Sequence, residues 1–538
     1  MLRLTEIKLP LDHPQQDIQD AIIRRLGIPV GELLNFTIFR RGFDARKPSA
    51  IMFIYTLDVE ITNEEKVLSR FPNDVHVKAA PDTSYHFVAQ APQDLNERPV
   101  VIGTGPCGIF AGLILAQMGF RPIILERGKE VRERSKDTWG LWRKHELNPE
   151  SNVQFGEGGA GTFSDGKLYS QVKDPKHYSR KVLKEFIKAG APAEIEYVSK
   201  PHIGTFRLVG MVEVMRAAII ELGGEVCFQS RVTDIDIEQG QVRGITLASG
   251  EHIATQHVVL AIGHSARDTF EMLHKRDVYL EAKPFSVGFR IEHPQSLIDR
   301  ARFGRNAGTP LLGAADYKLV HHASNGRSVY SFCMCPGGTV VAATSEVGRV
   351  VTNGMSQYSR NERNANSGIV VGITPEDFPG GPLAGIEFQR QWESRAFKLG
   401  GSNYNAPAQL VGDFIAQRPS TQLGEVVPSY TPGVTLGDLS SALPEYVITA
   451  VREALPAFEK TIKGFAMKDA VLTGVETRTS SPVRIKRDAS FQSMNTKGLY
   501  PAGEGAGYAG GIMSAAIDGI EVAEALAKSM VMEETTPP

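Results

Sequence analysis

The first hundred residues combine strand-like and helix-like hydrophobic patterns. LRLTEIKL, at residues 2–9, alternates apolar and polar positions, which is typical of a half-buried strand. Helical spacing of apolar residues follows between Ile18 and Leu26, and two more strand-like runs, NFTIFRR and IMFIYTLDVEI, come next. This order predicts a small N-terminal α+β domain of β-α-β-β type, residues 1–92.

A polar, proline-bearing run, QAPQDLNERP at residues 90–99, breaks the apolar pattern and predicts a linker. From Val100 the pattern is strand, helix, strand, and two later apolar runs, HVVLAIG at 257–263 and GLYPAGE at 498–504, are predicted to add strands to the same parallel sheet. We therefore predict a Rossmann-like α/β domain built from discontinuous segments, namely residues 99–170, 205–270 and 480–538, with 171–204 as a connecting segment.

Between these segments the chain changes to short alternating runs that are rich in glycine and proline. RSVYSFCMC and GTVVAATS are examples, and such runs are typical of an antiparallel sheet with attached helices. Residues 271–479 are therefore predicted to form an inserted mixed α+β domain that carries the substrate side. The predicted fold class is α/β, with the N-terminal unit as a ferredoxin-like addition.

Composition narrows the classes of function. The chain has 538 residues, 42% hydrophobic and 22% charged, which suits two or three globular domains. A formal net charge of -2 gives no field that would attract nucleic acid. Neither a signal-peptide pattern nor an apolar run of membrane-span length is visible in the sequence, so we expect a cytoplasmic protein without a membrane span.

Residues 100–127, VVIGTGPCGIFAGLILAQMGFRPIILER, place three glycines after a strand and at the start of an apolar helix. Gly103 makes the tight turn, Gly105 lets the backbone approach a pyrophosphate, and Gly108 allows close packing of helix on strand. The helix N-terminus offers unpaired N–H groups to the anion. The segment predicts a dinucleotide site.

The same segment supplies four more predicted cofactor contacts. Pro106 and Cys107 stand in the first turn of the helix, and Arg127 follows Glu126 at the end of the second strand. The carboxylate of Glu126 is placed to accept hydrogen bonds from an adenosine ribose and disfavours a 2'-phosphate there. These residues leave open whether the nucleotide is FAD or NAD.

Three further segments bear on that choice: QFGEGGAGTFSDGKLY, QHVVLAIGHSARDTF, and a C-terminal run that begins GLYPAGEGAG. Glycines let a loop lie against a ligand with backbone donors facing it. The last segment leads into a helix that begins near Ile512, whose N-terminus can stabilise a reduced flavin, while Glu504 can accept from a ribityl hydroxyl. The predicted contacts beyond the fingerprint are Gly158, Gly159, Gly161, Lys167, Val232, Ala261, Gly263, Gly503, Glu504, Gly511 and Ile512.

Together these segments resemble a flavoprotein of the glutathione-reductase-like superfamily, in the branch of p-hydroxybenzoate hydroxylase and the amine oxidases. More narrowly, GEGGAGTFSDGKL, FCMCPGG, VETRTSSPVRI and GLYPAGEGAGYAGGIMSAAIDG are similar to a bacterial family of NAD(FAD)-utilising dehydrogenase-like proteins, over the whole chain. The resemblance implies FAD as cofactor. NAD(P)H is one candidate for a transient electron donor, and the sequence leaves the donor or acceptor open. Glu504 departs from the superfamily's usual aspartate at the last contact.

The paired thiols Cys333 and Cys335 admit three interpretations: a redox dithiol, two ligands of a metal site, or small apolar packing on a strand. A C-x-C pair supplies only two ligands and the other cysteines are distant in sequence, so no metal is predicted. A disulfide between them would be strained and easily reduced. On a regular strand both thiols point to one face, opposite Phe332 and Met334, and that face can be the flavin's.

Other candidate side chains also carry two interpretations each. His264, which with the two thiols completes the predicted catalytic set, is a proton donor near the substrate or a helix-capping residue. Arg478 and Arg484 clamp a carboxylate or phosphate of the substrate, or they form ordinary strand ion pairs. Lys167 neutralises the pyrophosphate or the reduced flavin, or it faces solvent.

The predicted function is that of an FAD-dependent oxidoreductase, a dehydrogenase or reductase that transfers a hydride through flavin N5. A flavin hydroxylase on the same fold and a non-catalytic FAD-bound redox sensor or scaffold are the alternatives. A small-molecule substrate is expected. The N-terminal domain is expected to bind a protein partner or to mediate oligomerisation.

Overall fold

The computed structural model describes residues 1–95 and 97–535. Asn96, in the predicted linker, and residues 536–538, at the end of the predicted α/β domain, lie outside the described residues. Within those ranges, none of the helices has the length and apolar character needed to cross a membrane.

The N-terminal unit is a four-stranded antiparallel sheet with two helices. Its elements are β1 (Leu2–Pro10), α1 (Gln16–Leu26), β2 (Leu33–Asp44), β3 (Met52–Ile61), α2 (Glu64–Leu68) and β4 (Val77–Ala79). The strand order β2-β3-β1-β4 is that of a ferredoxin-like β-α-β-β-α-β unit. Ile18, Ile22 and Leu26 recur every four residues along α1 and are buried with the apolar face of the sheet.

The second unit alternates strands and helices. Its elements up to residue 275 are β5 (Val100–Ile102), α3 (Pro106–Gln117), β6 (Ile123–Leu125), α4 (Val131–Lys144), α5 (Tyr178–Lys188), α6 (Thr205–Glu221), β7 (Glu225–Cys227), β8 (Val232–Glu238), β9 (Gln241–Leu247), β10 (His252–Ala254), β11 (Val258–Leu260) and α7 (Arg267–Lys275). The strands β8, β9 and β10 form a small antiparallel sheet of their own, which the sequence pattern did not predict.

The chain then enters the inserted unit and afterwards returns. The inserted elements are β12 (Leu280–Ala282), β13 (Phe285–Pro294), α8 (Gln295–Phe303), β14 (Val320–His322), β15 (Ser328–Cys335), β16 (Gly338–Ala342), β17 (Thr352–Ser356), β18 (Asn364–Ile373), α9 (Ala384–Leu399), β19 (Ala406–Leu410), α10 (Val411–Ile415), β20 (Val434–Leu436), α11 (Glu445–Glu459), β21 (Val471–Glu476) and β22 (Val483–Ile485). The returning elements are β23 (Leu499–Pro501) and α12 (Ile512–Thr535).

The central sheet of the second unit is parallel, with the order β23-β11-β5-β6-β7. Val258 pairs with Val100 on one side and with Leu499 on the other, so three segments far apart in sequence are adjacent in this sheet. The prediction that residues 257–263 and 498–504 supply further strands of the sheet is confirmed. All three strands consist of buried residues, as expected for a sheet covered on both faces.

The inserted unit is built on a seven-stranded sheet with the order β14-β15-β18-β13-β21-β19-β20. All neighbouring strands in it are antiparallel except β19 and β20, which are parallel. The whole is a mixed α/β structure with parallel and mixed sheets, as predicted. The inserted sheet meets the parallel sheet near the carboxyl ends of its strands, and this junction contains the candidate site.

Candidate cofactor and substrate site

A cavity of about 370 Å³ lies between the two large sheets. Gly103, Gly263 and Gly503, which follow β5, β11 and β23, line one side of it. Phe332 of β15 and Asn353 of β17 line the opposite side. Ligands of open α/β sheets bind outside the carboxyl ends of the strands, so this cavity is the candidate site.

Two glycines of the fingerprint are required by the protein's own packing. Gly103 has a φ of +105°, and a Cβ atom added to it would lie 2.3 Å from the carbonyl oxygen of Ala261. A Cβ atom on Gly108 would lie 1.9 Å from the carbonyl oxygen of Gly103. Gly103 therefore makes the tight turn, and Gly108 lets α3 pack closely on the sheet, as the sequence predicts.

Other glycines face open space instead. A Cβ atom added to Gly105 would have Gly159 Cα, 3.8 Å away, as its nearest neighbour. Added to Gly263, Gly510 or Gly511, it would meet nothing within 4 Å. These four glycines line the cavity. They leave room for a ligand to lie directly against backbone, which is what a dinucleotide needs.

Two helices begin at the cavity wall. Pro106 is the first residue of α3, Ile512 is the first residue of α12, and both line the cavity. The first-turn N–H groups of a helix lack partners within the helix and carry partial positive charge. One N-terminus fits the pyrophosphate of a dinucleotide, and the second fits another electron-rich group of the same ligand.

Glu126 is buried and joins two loops of the site. Its Oε2 accepts hydrogen bonds from the backbone N–H and the hydroxyl of Thr104, at 3.1 and 2.5 Å. Its Oε1 accepts from the backbone N–H groups of Gly128 and Gly156, at 2.9 and 3.0 Å. The carboxylate thus fixes the fingerprint loop against the loop at 156. Its contact with a ribose stays a prediction.

Arg134 of α4 is a functional residue that the sequence analysis missed. Its fully buried guanidinium donates to the carbonyl oxygens of Asn152, Val153, Gly156 and Glu157, at 2.8, 2.7, 3.2 and 2.6 Å. Burial lowers its pKa to about 10. The arginine shapes the glycine-rich loop from behind, and nothing in the local pattern of α4 distinguishes it from a surface arginine.

Asp518 of α12 was also missed. Its Oδ2 accepts from the backbone N–H of Gly503 at 2.6 Å, and its carboxylate pairs with Arg487, with 3.0 Å between Nη1 and Oδ2. The pair holds the turn between β23 and α12. It therefore sets the position of Glu504, which lines the cavity at that turn.

Glu504 is an acidic side chain with a raised pKa. Burial raises its pKa to about 7, against the opposing effects of Lys283 and of the backbone N–H of Gly511. Among the described residues it has no salt-bridge partner. The carboxyl group therefore exchanges a proton near neutral pH at the wall of the cavity.

The inserted sheet contributes charged side chains whose charges are compensated. Glu476 of β21 lines the cavity and forms a bidentate pair with Arg290, in which Nε and Nη2 donate at 2.8 Å each. Nη1 of Arg290 donates to the carbonyl oxygen of Cys333 at 3.0 Å. Burial disfavours the charge of Arg290, but Glu476 outweighs it and raises the pKa of the guanidinium.

Arg478 lines the cavity, but its donors are already used. It donates to both carboxylate oxygens of Glu393, at 3.1 and 3.0 Å, and to the hydroxyls of Ser265 and Ser345, at 3.0 and 2.7 Å. Arg267 binds the opposite side of the same carboxylate, at 3.0 and 2.8 Å. This arrangement corresponds to the ion-pair interpretation of Arg478 and not to a substrate clamp.

Arg484 is not among the residues that line the cavity. It stands on β22, and its guanidinium lies over the ring of Tyr508, 5.4 Å from the centroid. Its role in clamping a substrate stays a prediction.

The two thiols do not share a face, which corrects the prediction made for a regular strand. Cys333 has a φ of +47°, and the pairing of β15 with β18 shifts register between Phe332 and Cys335. The exposed thiol of Cys333 lines the cavity, whereas Cys335 is buried away from it and lies 3.3 Å from the carbonyl oxygen of Cys333. Burial raises the pKa of Cys335 to about 12. Cys335 is therefore not among the residues that line the cavity, and its catalytic role stays a prediction.

His264 lines the cavity three residues before α7 begins, so it does not cap that helix. Its Nδ1 is 2.9 Å from the hydroxyl of Ser265. Burial, Arg478 and Arg267 lower its pKa to about 3. The imidazole is therefore neutral at physiological pH, and it cannot serve as a cationic proton donor there.

The structure brings most of the predicted cofactor contacts together. Gly108 and Gly158 stand behind the cavity wall, where Gly158 packs against Thr162. The predicted contacts that line the cavity are Gly103, Gly105, Pro106, Cys107, Glu126, Arg127, Gly159, Gly161, Lys167, Val232, Ala261, Gly263, Gly503, Glu504, Gly511 and Ile512.

Comparison with known families gives two matches. Residues 284–479 match the family described as FAD-dependent protein, C-terminal domain-like, and residues 1–60 match a domain of unknown function. An uncharacterised protein of Clostridium beijerinckii is 50% identical to this chain over 525 residues, which is 97% of this chain and 98% of the relative.

Solved structures give weaker likenesses. GidA of Aquifex aeolicus is 13% identical with a TM-score of 0.31, and the match covers 82% of this chain and 65% of that one. CtdE in complex with FAD is 10% identical with a TM-score of 0.31, over 82% and 88% of the two chains. L-proline dehydrogenase of P. horikoshii is 14% identical with a TM-score of 0.34, over 80% and 94%. At these scores the likenesses carry no argument about the chemistry.

FAD is the cofactor of this protein. The match to FAD-dependent proteins over residues 284–479 names the group. The cavity fits it, because glycines without neighbours line its wall and two helix N-termini begin there. The residues available to hold it are the backbone at Gly103–Gly105, the loop at 158–161 and the start of α12.

Proposed function

This chain belongs to the same family as the Clostridium beijerinckii protein, and from that premise we propose that it is an FAD-dependent oxidoreductase. It transfers a hydride between a small organic substrate and an electron donor or acceptor, for which NAD(P)H is one candidate. The observation that carries the proposal is the cavity itself. A cofactor wall of backbone groups faces a second wall, from the inserted sheet, that can contact a substrate.

FAD, when bound, supplies the redox step, since its N5 accepts or gives a hydride. The chain's own residues bind the cofactor and the substrate, orient them and shield them from water. The N-termini of α3 and α12 stabilise negative charge on the ligand. Apolar side chains of the inserted unit, Phe332, Ala343 and Val351, close the opposite wall and exclude water from it.

Proton transfer needs a group that changes its charge near neutral pH. Glu504 meets this requirement, because burial raises its pKa to about 7 and its carboxyl group lines the cavity. His264 does not, since its pKa is lowered to about 3. We assign to Glu504 the role of holding a proton at its carboxyl oxygen, for the ligand or the substrate.

The first experiment measures FAD binding in Gly105→Ala. An added Cβ atom fits within the protein but points into the space that the ligand needs. We expect wild-type protein to purify yellow and the variant to bind FAD about tenfold or more weakly. Gly210→Ala is the matched control, because a Cβ atom there meets no described atom within 4 Å and Gly210 lies outside the cavity. Colourless wild-type protein, or equal FAD affinity in both variants, contradicts the proposal.

A second experiment separates the three functions. Anaerobic mixing with NADH, NADPH and organic reductants should bleach the flavin absorbance with at least one donor, followed by sustained turnover when an acceptor is added. Turnover that never develops with any pair favours the redox sensor or scaffold. Oxygen from labelled dioxygen appearing in an organic product favours the hydroxylase.

A further inference from the structure

Among the described residues, three charged side chains that line the cavity have no salt-bridge partner. Eight side chains of Asp, Glu, Lys and Arg line it. Six of them are held by bonds within the protein: Glu126, Arg127, Asp165, Arg231, Glu476 and Arg478. Across residues 1–95 and 97–535, Glu126, Lys167 and Glu504 have no salt-bridge partner, and Glu126 is held by neutral N–H and O–H donors. Burial raises the pKa of Glu504 to about 7, so its carboxyl group is only partly ionised near neutral pH. Lys167 is the one Lys or Arg of the cavity lining that has no salt-bridge partner among the described residues.

Lys167 and Tyr169 point into the cavity together. The segment is extended, with Lys167 bridged to His202, and the N–H of Leu168 donates to the carbonyl oxygen of Pro201 at 2.8 Å. Alternation along an extended chain sends every second side chain to one side. Accordingly Lys167 and Tyr169 line the cavity, while Leu168 between them is buried in the core around α3 and α12.

The charges around Lys167 leave a net positive charge. Asp165 is bound by Arg360 through two hydrogen bonds, of 2.9 and 2.5 Å. Asp316 is paired with Lys200 at 2.6 Å. Each pair is neutral overall, so the ammonium of Lys167 has no anion left to balance it.

Neighbouring titratable groups do not remove this excess. Burial lowers the pKa of His202 to about 4, so its imidazole is neutral, and burial raises the pKa of Cys335 to about 12, so its thiol is protonated. One anion from outside the chain would complete the cluster.

Lys167 lies at the inserted-sheet end of the cavity. The loop that precedes it passes Gly105, since an added Cβ on Gly159 would lie 2.8 Å from Gly105 Cα. It then passes the start of α12, since a Cβ on Gly161 would lie 3.1 Å from Ile512 Cγ1. Beyond it, Nζ of Lys167 donates to the carbonyl oxygen of Met334 on β15. The ammonium thus belongs to the wall that faces the substrate.

We propose that Lys167 and Tyr169 bind the carboxylate of an anionic substrate, which makes a carboxylic acid the substrate class of this protein. This inference rests on the proposed function and adds a substrate class to it. An ammonium has three donors, and Lys167 uses one of them on Met334. The remaining donors and the Tyr169 hydroxyl can bind the two oxygens of one carboxylate. Asp165 does not compete, because Arg360 holds it.

The test is calorimetric titration of the FAD-loaded protein with benzoate and with succinate, using benzamide as the uncharged counterpart of benzoate. We expect saturable binding of at least one carboxylate and weaker binding of benzamide. Lys167→Met should weaken carboxylate binding about tenfold or more, because a charged hydrogen bond is lost, and Tyr169→Phe about threefold to tenfold. Lys167→Arg keeps the charge and should restore part of the affinity.

Lys173→Met is the matched control. It removes the same charge from an exposed position six residues along the chain, and it should leave carboxylate binding unchanged. FAD content is measured on every sample, so that loss of the cofactor, which would count against the proposed function, is seen separately. Three outcomes overturn the inference. Neither carboxylate binds saturably, or wild type and Lys167→Met bind carboxylate with equal affinity, or Lys167→Met loses FAD without a change in carboxylate binding.

Discussion

The two walls of the cavity are built by opposite means. The wall of the α/β unit presents backbone, with Gly105, Gly263 and Gly511 open to the ligand and two helices beginning there. The wall of the inserted sheet presents side chains, and the charges of Glu476 and Arg478 are compensated by buried partners. A backbone wall recognises a common part of the ligand. A side-chain wall can differ between proteins that share the same cofactor.

The difference also concerns distance along the chain. Glycines of the fingerprint act within a few residues of each other. The ion pair of Arg290 with Glu476 joins residues 186 positions apart, and Glu393 lies 126 positions from Arg267 and 85 from Arg478. The buried charges of the inserted wall are therefore stable only where the tertiary structure brings their partners next to them.

The largest effect is expected from Glu393→Gln. The carboxylate is fully buried between Arg267 and Arg478. Without its charge, Arg478 would lose its close ionic partner and Arg267 would keep only Glu346. The two arginines outweigh burial and lower the pKa of Glu393, so the charge is present at neutral pH. We expect the free energy of unfolding in urea to fall by about 3–5 kcal/mol.

Glu387→Gln is the matched control on the same helix, α9. Its side chain is 68% exposed and pairs with Arg390 at the surface, so the loss should be at most about 1 kcal/mol. If the two variants lose equal stability, the inserted wall is not held by its buried ion pairs and the comparison of the walls fails.

A smaller effect is expected from Glu504→Gln, and it depends on pH. The folded protein holds this carboxyl with a pKa of about 7, raised from 4.5 by burial. Between these values the unfolded chain loses the proton and the folded chain keeps it, so the stability of the wild type falls as pH rises. The variant is neutral throughout and should lack this decline, and above pH 7 it should be about 3 kcal/mol more stable than wild type.

Urea unfolding across that pH window, at matched FAD content, measures the difference. Glu387→Gln serves again as the control and should follow the wild-type pH dependence. A parallel pH dependence of Glu504→Gln and wild type would show that Glu504 is ionised at neutral pH. Glu504 would then not hold, at neutral pH, the proton that we assign to it.

The smallest effect on stability is expected at Cys333. Its thiol is exposed to the cavity, so Cys333→Ser should change stability by about 0.5 kcal/mol or less, whereas Cys335→Ser places a hydroxyl in a buried position at a cost of about 1–3 kcal/mol. Alkylation by iodoacetamide, read by mass spectrometry, should modify Cys333 about tenfold or more faster than Cys335. Bound FAD should slow the modification of Cys333. Equal rates at both thiols would mean that β15 does not have its bulge in solution.

The sequence was informative where the signal is local. The signal lies within about thirty residues and consists of an apolar strand, the turn glycines and a helix. The tight turn, the approach of backbone to the ligand and the packing of helix on strand each require glycine at a fixed position. From these, the parallel strands around residues 100, 258 and 499 and the start of α12 near Ile512 were predicted and are confirmed.

The inserted wall was less predictable, and the errors have physical reasons. The alternation of a regular strand put Cys333 and Cys335 on one face, but a bulge with a positive φ at Cys333 separates them. Arg484 looked equivalent to Arg478, yet it is not among the residues that line the cavity. Such local departures from regular geometry leave no period in the sequence.

The amino-acid sequence by itself determined the α/β class, the FAD fingerprint and the residues that line the cofactor wall, because backbone conformation and glycine sterics act between near neighbours. Only the tertiary structure decided which charges are paired. It paired Arg478 with Glu393 and Asp165 with Arg360, and within the described part of the chain it left Lys167 without a salt-bridge partner. Electrostatic partners are selected by proximity after folding, and the spacing of residues along a chain does not encode that proximity.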